Sequence, residues 1–153
     1  MYNQHSFTSA KPSRGFSLFE LLSVTSIFAV IAAIAVPPYQ QHVIRASRGA
    51  AQMELMQMAS MQERIHLASR AYSINITAAH TGYVDGGLGI PTARTADGKY
   101  DLTIAGSAST YTLTATPVAG STQTGDGTMT IRSDGMRICS GSPTPVWCRS
   151  GTW

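Results

Sequence analysis

The sequence predicts an α+β domain in which one long N-terminal helix lays its second half against a four-stranded antiparallel sheet. Three observations carry that prediction. Residues 16–36 form an apolar run whose only formal charge is Glu20. Residues 39–70 hold no proline and one glycine, and their apolar residues recur at spacings of three, four and seven, the period of an amphipathic helix. Beyond residue 100 the apolar period becomes two, that of a half-buried strand.

Each element follows in order. Residues 1–15, "MYNQHSFTSAKPSRG", are polar, basic and aperiodic, and read as a leader peptide. At 1.5 Å per residue the segment 16–36 is long enough to cross about 30 Å of hydrocarbon as a transmembrane and assembly helix. Ser17, Ser23, Thr25 and Ser26 dilute its apolarity, but a helix can take their hydroxyls back onto its own carbonyls. Lys11 and Arg14 orient the span with its start in the cytoplasm.

Pro37 and Pro38 remove two backbone donors and are expected to kink or locally melt the helix. Its amphipathic half, 37–70, resumes beyond them with Ile44, Ala51, Leu55, Met58, Met61, Ile65 and Ala68 on one stripe. Arg45, Arg48, Glu54, Glu63 and Arg64 lie mostly off it. A continuous helix from residue 16 to 68 would be about 80 Å long, so its N-terminal half must find partners elsewhere.

Residues 71–99 are rich in Gly, Ala and Thr and read as a long αβ-loop. Within it "DGGLG" at 85–89 lacks the strand before and helix after that a phosphate loop needs, so it is a turn. Residues 100–153 supply the sheet and a C-terminal disulfide loop. "YDLTIAG" and "YTLTATP" are strands, the second turning Tyr111, Leu113 and Ala115 to one face. "TMTIRSDGMRIC" reads as a hairpin about a two-residue Asp134-Gly135 loop. That register sets Ile131 opposite Ile138, and Arg132 opposite Arg137 on a wet outer face.

Composition narrows the function. The chain has 153 residues, 43% apolar but only 12% charged, against roughly 25% charged in an average soluble protein. It therefore makes one domain with an appended segment, part of which does not face water. Of the net +3, two charges are Lys11 and Arg14, so charge alone does not argue for nucleic acid. The two cysteines, Cys139 and Cys148, read as one small disulfide-closed loop in a chain delivered outside the cytoplasm, contributing about 2 to 3 kcal/mol.

Glu20 poses the sharpest question, because a carboxylate in hydrocarbon costs a few kcal/mol. It can sit inert near the headgroups, be protonated, cap the positive end of its own helix, or pair with a cation. A cut between Gly15 and Phe16 would create such a cation, the amino group of Phe16, about one helical turn away. In a bundle of staggered helices Glu20 of one chain could neutralise the amine of another and set register, as a buried polar group can.

Gly15, Phe16, three uncharged residues and Glu20, then a long apolar stretch after a short basic leader, resemble the class III signal of bacterial type IV prepilins and type II secretion pseudopilins. The resemblance covers roughly residues 11 to 40. It implies a membrane prepilin peptidase of the aspartyl class that cuts after Gly15 and methylates Phe16. It also implies the type IV pilin fold, with Pro37 at the position of a helix-bending proline. "AQMELMQMASMQER", "YTLTATP" and "GTMTIRSDG" are similar to PilE-type minor pilins, with the departures that Ile65 and His66 follow Gln-Glu-Arg and that Pro38 makes a double proline.

The resemblance implies a minor type IV pilin subunit serving motility, adhesion or DNA uptake by entering or priming a pilus. Its partners would be major and minor pilins, the prepilin peptidase and the inner-membrane assembly platform. It would span the inner membrane once with a periplasmic C-terminal domain, and lie in the fibre after assembly. One alternative is a type II secretion pseudopilin. Another is an exported soluble periplasmic protein cut at Ala33-Ile34-Ala35, which leaves Gly15-Phe16 and Glu20 unexplained.

An enzyme is not expected. His5, His42, His66 and His80 are scattered, and neither cysteine has a nucleophile's setting. His42 and His66 read as solvated. Asp85, Asp97, Asp101, Asp126 and Asp134 match no calcium-loop spacing, and Met53, Met56, Met58 and Met61 read as core and inter-helix packing; no cofactor or metal is expected. In "CSGSPTPVWC" two prolines stiffen the loop and Trp147 anchors it, either to face neighbouring subunits or to fasten the last strand. Arg137 and Arg149 offer only thin support for DNA or another polyanion.

Overall fold

The computed structural model describes residues 15–141, 144–148 and 150–153, except for the side chains of 36–38. The readings placed on residues 1–14, on the side chains of Pro37 and Pro38, and on Arg149 lie outside the described residues. Two compact units divide the chain, Met1–Tyr39 and Gln40–Trp153. Helix α1, Leu18–Ser69, contributes to both.

In the first unit the carbonyl of Ser17 accepts the amides of Glu20 and Leu21 and so opens α1. Ser23 donates to the Phe19 carbonyl at 2.8 Å, Thr25 to Leu22 at 3.0 Å and Ser26 to Ser23 at 2.7 Å, so these hydroxyls are satisfied without water. The large apolar side chains from Phe16 to Ile34 are exposed, and α1 is long and apolar enough to cross a membrane. Local melting at residues 37 and 38 does not occur, since helical backbone continues through both. Proline's fixed φ is itself close to the helical value.

In the second unit strands β1 (Tyr100–Gly106), β2 (Tyr111–Pro117), β3 (Thr128–Arg132) and β4 (Arg137–Ser140) form an antiparallel sheet in sequence order. Tyr111, Leu113 and Ala115 are buried as their alternation predicts, with Tyr100, Leu102, Met129 and Ile131 beside them. From α1, Ala51, Leu55, Met58 and Ile65 complete this core. Full burial of each large side chain contributes about 1.5 to 3 kcal/mol.

The helix differs from expectation at four residues. Ala68 is exposed, Met53 and Met56 are exposed rather than core, and Gln62 is fully buried. Gln62 is accommodated because its amide matches a peptide: Nε2 donates to the Ser73 carbonyl at 2.6 Å and Oε1 accepts the Ser73 amide at 3.1 Å. The loop 71–99 has no helix or strand among its residues beyond an isolated bridge, Arg94 to Asp101. It folds on itself through Leu88 to Asn75 and Ile90 to Ile76 backbone bonds. A Cβ on Gly87 would lie 2.4 Å from the Ala78 carbonyl oxygen, which is why the glycine-rich turn occurs there.

The β3–β4 hairpin corrects the predicted register by one residue. Its loop is Ser133-Asp134-Gly135, closed by Arg132 and Met136 backbone groups, with Gly135 at φ 80°. That is the three-residue turn with a glycine bulge rather than the two-residue one. Ile131 consequently faces Arg137 and Thr130 faces Ile138, while Arg132 faces Thr112. The one-residue slip places the two arginines on opposite faces, so they do not repel across a pair.

Candidate functional site

The structure gathers the candidate residues at three places. At the start of α1, Gly15, Phe16, Ser17 and Glu20 line one shallow depression. Glu20 lies in the first turn, where the helix's unsatisfied amides favour a carboxylate. Phe16 is exposed, and in the intact chain its nitrogen is a peptide amide without charge.

The second place is built around the disulfide. Cys139 and Cys148 are bonded, with Cα atoms 5.6 Å apart, and the Cys139 amide donates to the Gly151 carbonyl. A short 3-10 turn, Val146–Cys148, aims Trp147 inward, where its indole N–H donates to the Asp126 carbonyl at 2.8 Å. The Arg48 guanidinium lies 4.5 Å from the Trp147 ring centroid. It meets the Asp126 carboxylate at two points, Nε to Oδ2 at 2.9 Å and Nη2 to Oδ1.

Tyr100 donates its hydroxyl to the same carboxylate. Burial first, and then that hydrogen bond, push the Tyr100 phenol well above its ordinary value. Gln123, also buried, ties the cluster to the Ile44 carbonyl at 3.3 Å. Above it opens a cavity of about 410 Å³ bordered by Gln41, Arg45, Pro145, Val146 and Trp147. The sequence reading found Trp147 but not Arg48, Asp126 and Tyr100, since no local spacing relates residues 78 positions apart.

The third place is the β3–β4 hairpin. Arg137 lies 5.4 Å from the Trp153 ring, whose N–H donates to the Thr130 carbonyl at 3.2 Å. Arg132 makes a loose, half-exposed contact with Asp134 at 3.7 Å. An exposed guanidinium beside an aromatic ring, as at Arg137, can meet phosphate by charge and a base by stacking.

His66 departs from its reading as a solvated residue. It stacks on Tyr72 at 4.4 Å, and its Nδ1 is buried without a protein partner. Glu63 accepts from both Tyr72 and Tyr111; burial, then the Glu63 charge, raises both phenols. Four of the five aspartates are spoken for by protein groups: Asp97 by Thr95 and Lys99, Asp101 by Arg94, Asp126 by Arg48 and Tyr100, Asp134 by the Met136 amide. Among the described residues no three candidate ligands cluster for a metal.

Comparison with known proteins places both halves. The prokaryotic N-terminal methylation motif matches residues 10–36. A family profile described as type IV minor pilin ComP, DNA uptake sequence receptor, matches residues 37–130. No curated protein matches the chain. The methylation motif and the one apolar N-terminal helix among the described residues make this an inner-membrane, single-pass subunit that becomes part of a pilus, in contact with other pilins and the pilus machinery. With well over half of its length matched, the chain belongs to the ComP family of type IV minor pilins.

Proposed function

We propose that this minor pilin captures DNA at the cell surface and is built into a pilus by a processed N-terminus. The observation that carries the DNA reading is the ComP profile, whose description as a DNA uptake sequence receptor falls on residues 37–130. Arg132, and Arg137 beside Trp153, supply the chemistry: each guanidinium displaces a condensed counterion from a phosphate, and the indole offers a stacking face. The role is structural and receptive rather than catalytic.

Assembly in this reading begins with prepilin peptidase cutting after Gly15 and methylating the Phe16 amine. The new ammonium gives Glu20 a partner, in its own chain or a neighbour's, while residues 16–36 supply apolar packing area. The leader 1–15, the assembly segment 16–36 and the amphipathic half 37–70 thus have separate duties. The type II pseudopilin reading explains the same N-terminus but not the ComP match.

The test is fluorescence anisotropy of the intact detergent-solubilised chain with duplex DNA at several salt concentrations. Arg132→Ala and Arg137→Ala should each weaken binding and lower the salt slope by about 1. Binding that both substitutions leave untouched would exclude the hairpin, and no binding at low salt would exclude the receptor reading.

A further inference from the structure

The cavity beside Trp147 is left unused by DNA capture at the hairpin. Within it Arg48 is neutralised by Asp126, so the uncompensated charge is Arg45, which has no carboxylate within salt-bridge distance among the described residues. Gln41 adds a neutral donor on the same side. Pro145, Trp147 and Val146 also line it, the last 76% exposed. One cation with a neutral donor, set against an aliphatic and an indole edge, complements an amphiphile with a phosphodiester head.

Chain connectivity supplies the amphiphile. Gln41 is five residues past Val36, where the apolar run ends, and five residues span at most about 18 Å fully extended. The headgroup layer beyond the hydrocarbon is itself about 5 to 8 Å thick. In an anchored subunit the chain therefore tethers Gln41, at the rim of this cavity, within about 18 Å of the end of the apolar run.

We propose that the cavity is a phospholipid-headgroup seat that docks the unassembled domain on the periplasmic face of the membrane. Arg45 and Gln41 take the phosphate, and the exposed Val146 enters the interfacial layer, with the half-buried Trp147 ring behind it at the cavity wall. Entry into a fibre then exchanges this seat for contacts with other subunits. The inference rests on residues 16–36 spanning the bilayer.

The experiment uses the intact chain carrying Trp153→Phe, which leaves Trp147 as its one tryptophan, in liposomes of phosphatidylethanolamine and phosphatidylglycerol. Flotation reports anchoring, and quenching of Trp147 by a headgroup-level nitroxide lipid reports docking. The expected result is co-flotation with quenching, and a roughly fivefold lower docked-to-undocked ratio for Arg45→Gln. Val146→Asn should lower it too, and added inorganic phosphate should leave it unchanged. Co-flotation without quenching, or quenching indifferent to both substitutions, overturns the seat and leaves the span standing. Failure to float overturns both. Loss of quenching with inorganic phosphate reassigns the cavity to a soluble anion, and loss with a short DNA duplex reassigns it to nucleic acid; either overturns the lipid seat.

Discussion

Arg48 and Asp126 form a two-point ion pair with side chains only 16% and 7% exposed, roofed by Trp147 and floored by the Tyr100 hydroxyl. Helix, strand, loop and disulfide turn meet at this one residue, Asp126. Such a pair is weak evidence for net stability, but removing one partner strands a buried charge. Arg48→Ala should therefore destabilise the domain by about 3 to 5 kcal/mol, read as a lower near-ultraviolet melting transition. An Arg48→Met, Asp126→Leu double variant should recover much of that loss, and a double variant no better than the single would refute the stranded-charge account.

Gln62 makes the second prediction. Gln62→Leu keeps the volume but leaves the Ser73 amide and carbonyl without their partner, at about 1 to 3 kcal/mol for each buried group. Urea unfolding should show the drop, and amide exchange at Ser73 should accelerate. Unchanged exchange at Ser73 would mean that another group takes over the bond.

Asp97 gives a pH signature. Burial works to raise its pKa, but the Thr95 hydroxyl and the Lys99 amide donate to the carboxylate and hold it below the ordinary value. A depressed folded pKa contributes stability above the unfolded value of about 3.9, and that stability is lost as pH falls through the folded value. The melting-temperature gap between wild type and Asp97→Asn should be open at pH 6 and close below about pH 4. A gap of constant size down to pH 2 would contradict the shift.

For the N-terminus, Glu20→Ala should leave cleavage after Gly15 and membrane insertion intact but lower the amount of subunit in sheared pili. Intact mass and immunoblots of pili against membranes check the two halves. Full incorporation of the variant would end the registration role.

The disulfide fastens a turn that the Arg48–Asp126 cluster also holds. Serine at both Cys139 and Cys148 should cost about 2 to 3 kcal/mol and red-shift Trp147 emission as the turn loosens. Emission that stays unshifted would show that the cluster alone positions Trp147.

Much of this was legible along the chain because period and composition are local quantities. The strand bounds at 100–106 and 111–117, the cysteine pair and the apolar run all follow from alternation, spacing and length. The β3–β4 register was not, because Asp-Gly suits both a two-residue loop and a three-residue loop with a glycine bulge, and the choice depends on which backbone groups close the turn. Arg48 escaped notice for a different reason: on a helical wheel it looks like any solvated arginine.

By itself the sequence determined what an isolated segment can do: a helix long enough for a bilayer, a strand with one wet face, a signal bearing Gly15, Phe16 and Glu20. Tertiary structure decided which polar groups are buried and with whom, joining Arg48 to Asp126 and Gln62 to Ser73. Solvation and periodicity act on neighbours in the chain, whereas the burial of a charge is stable only when a partner distant in sequence arrives at the same point in space.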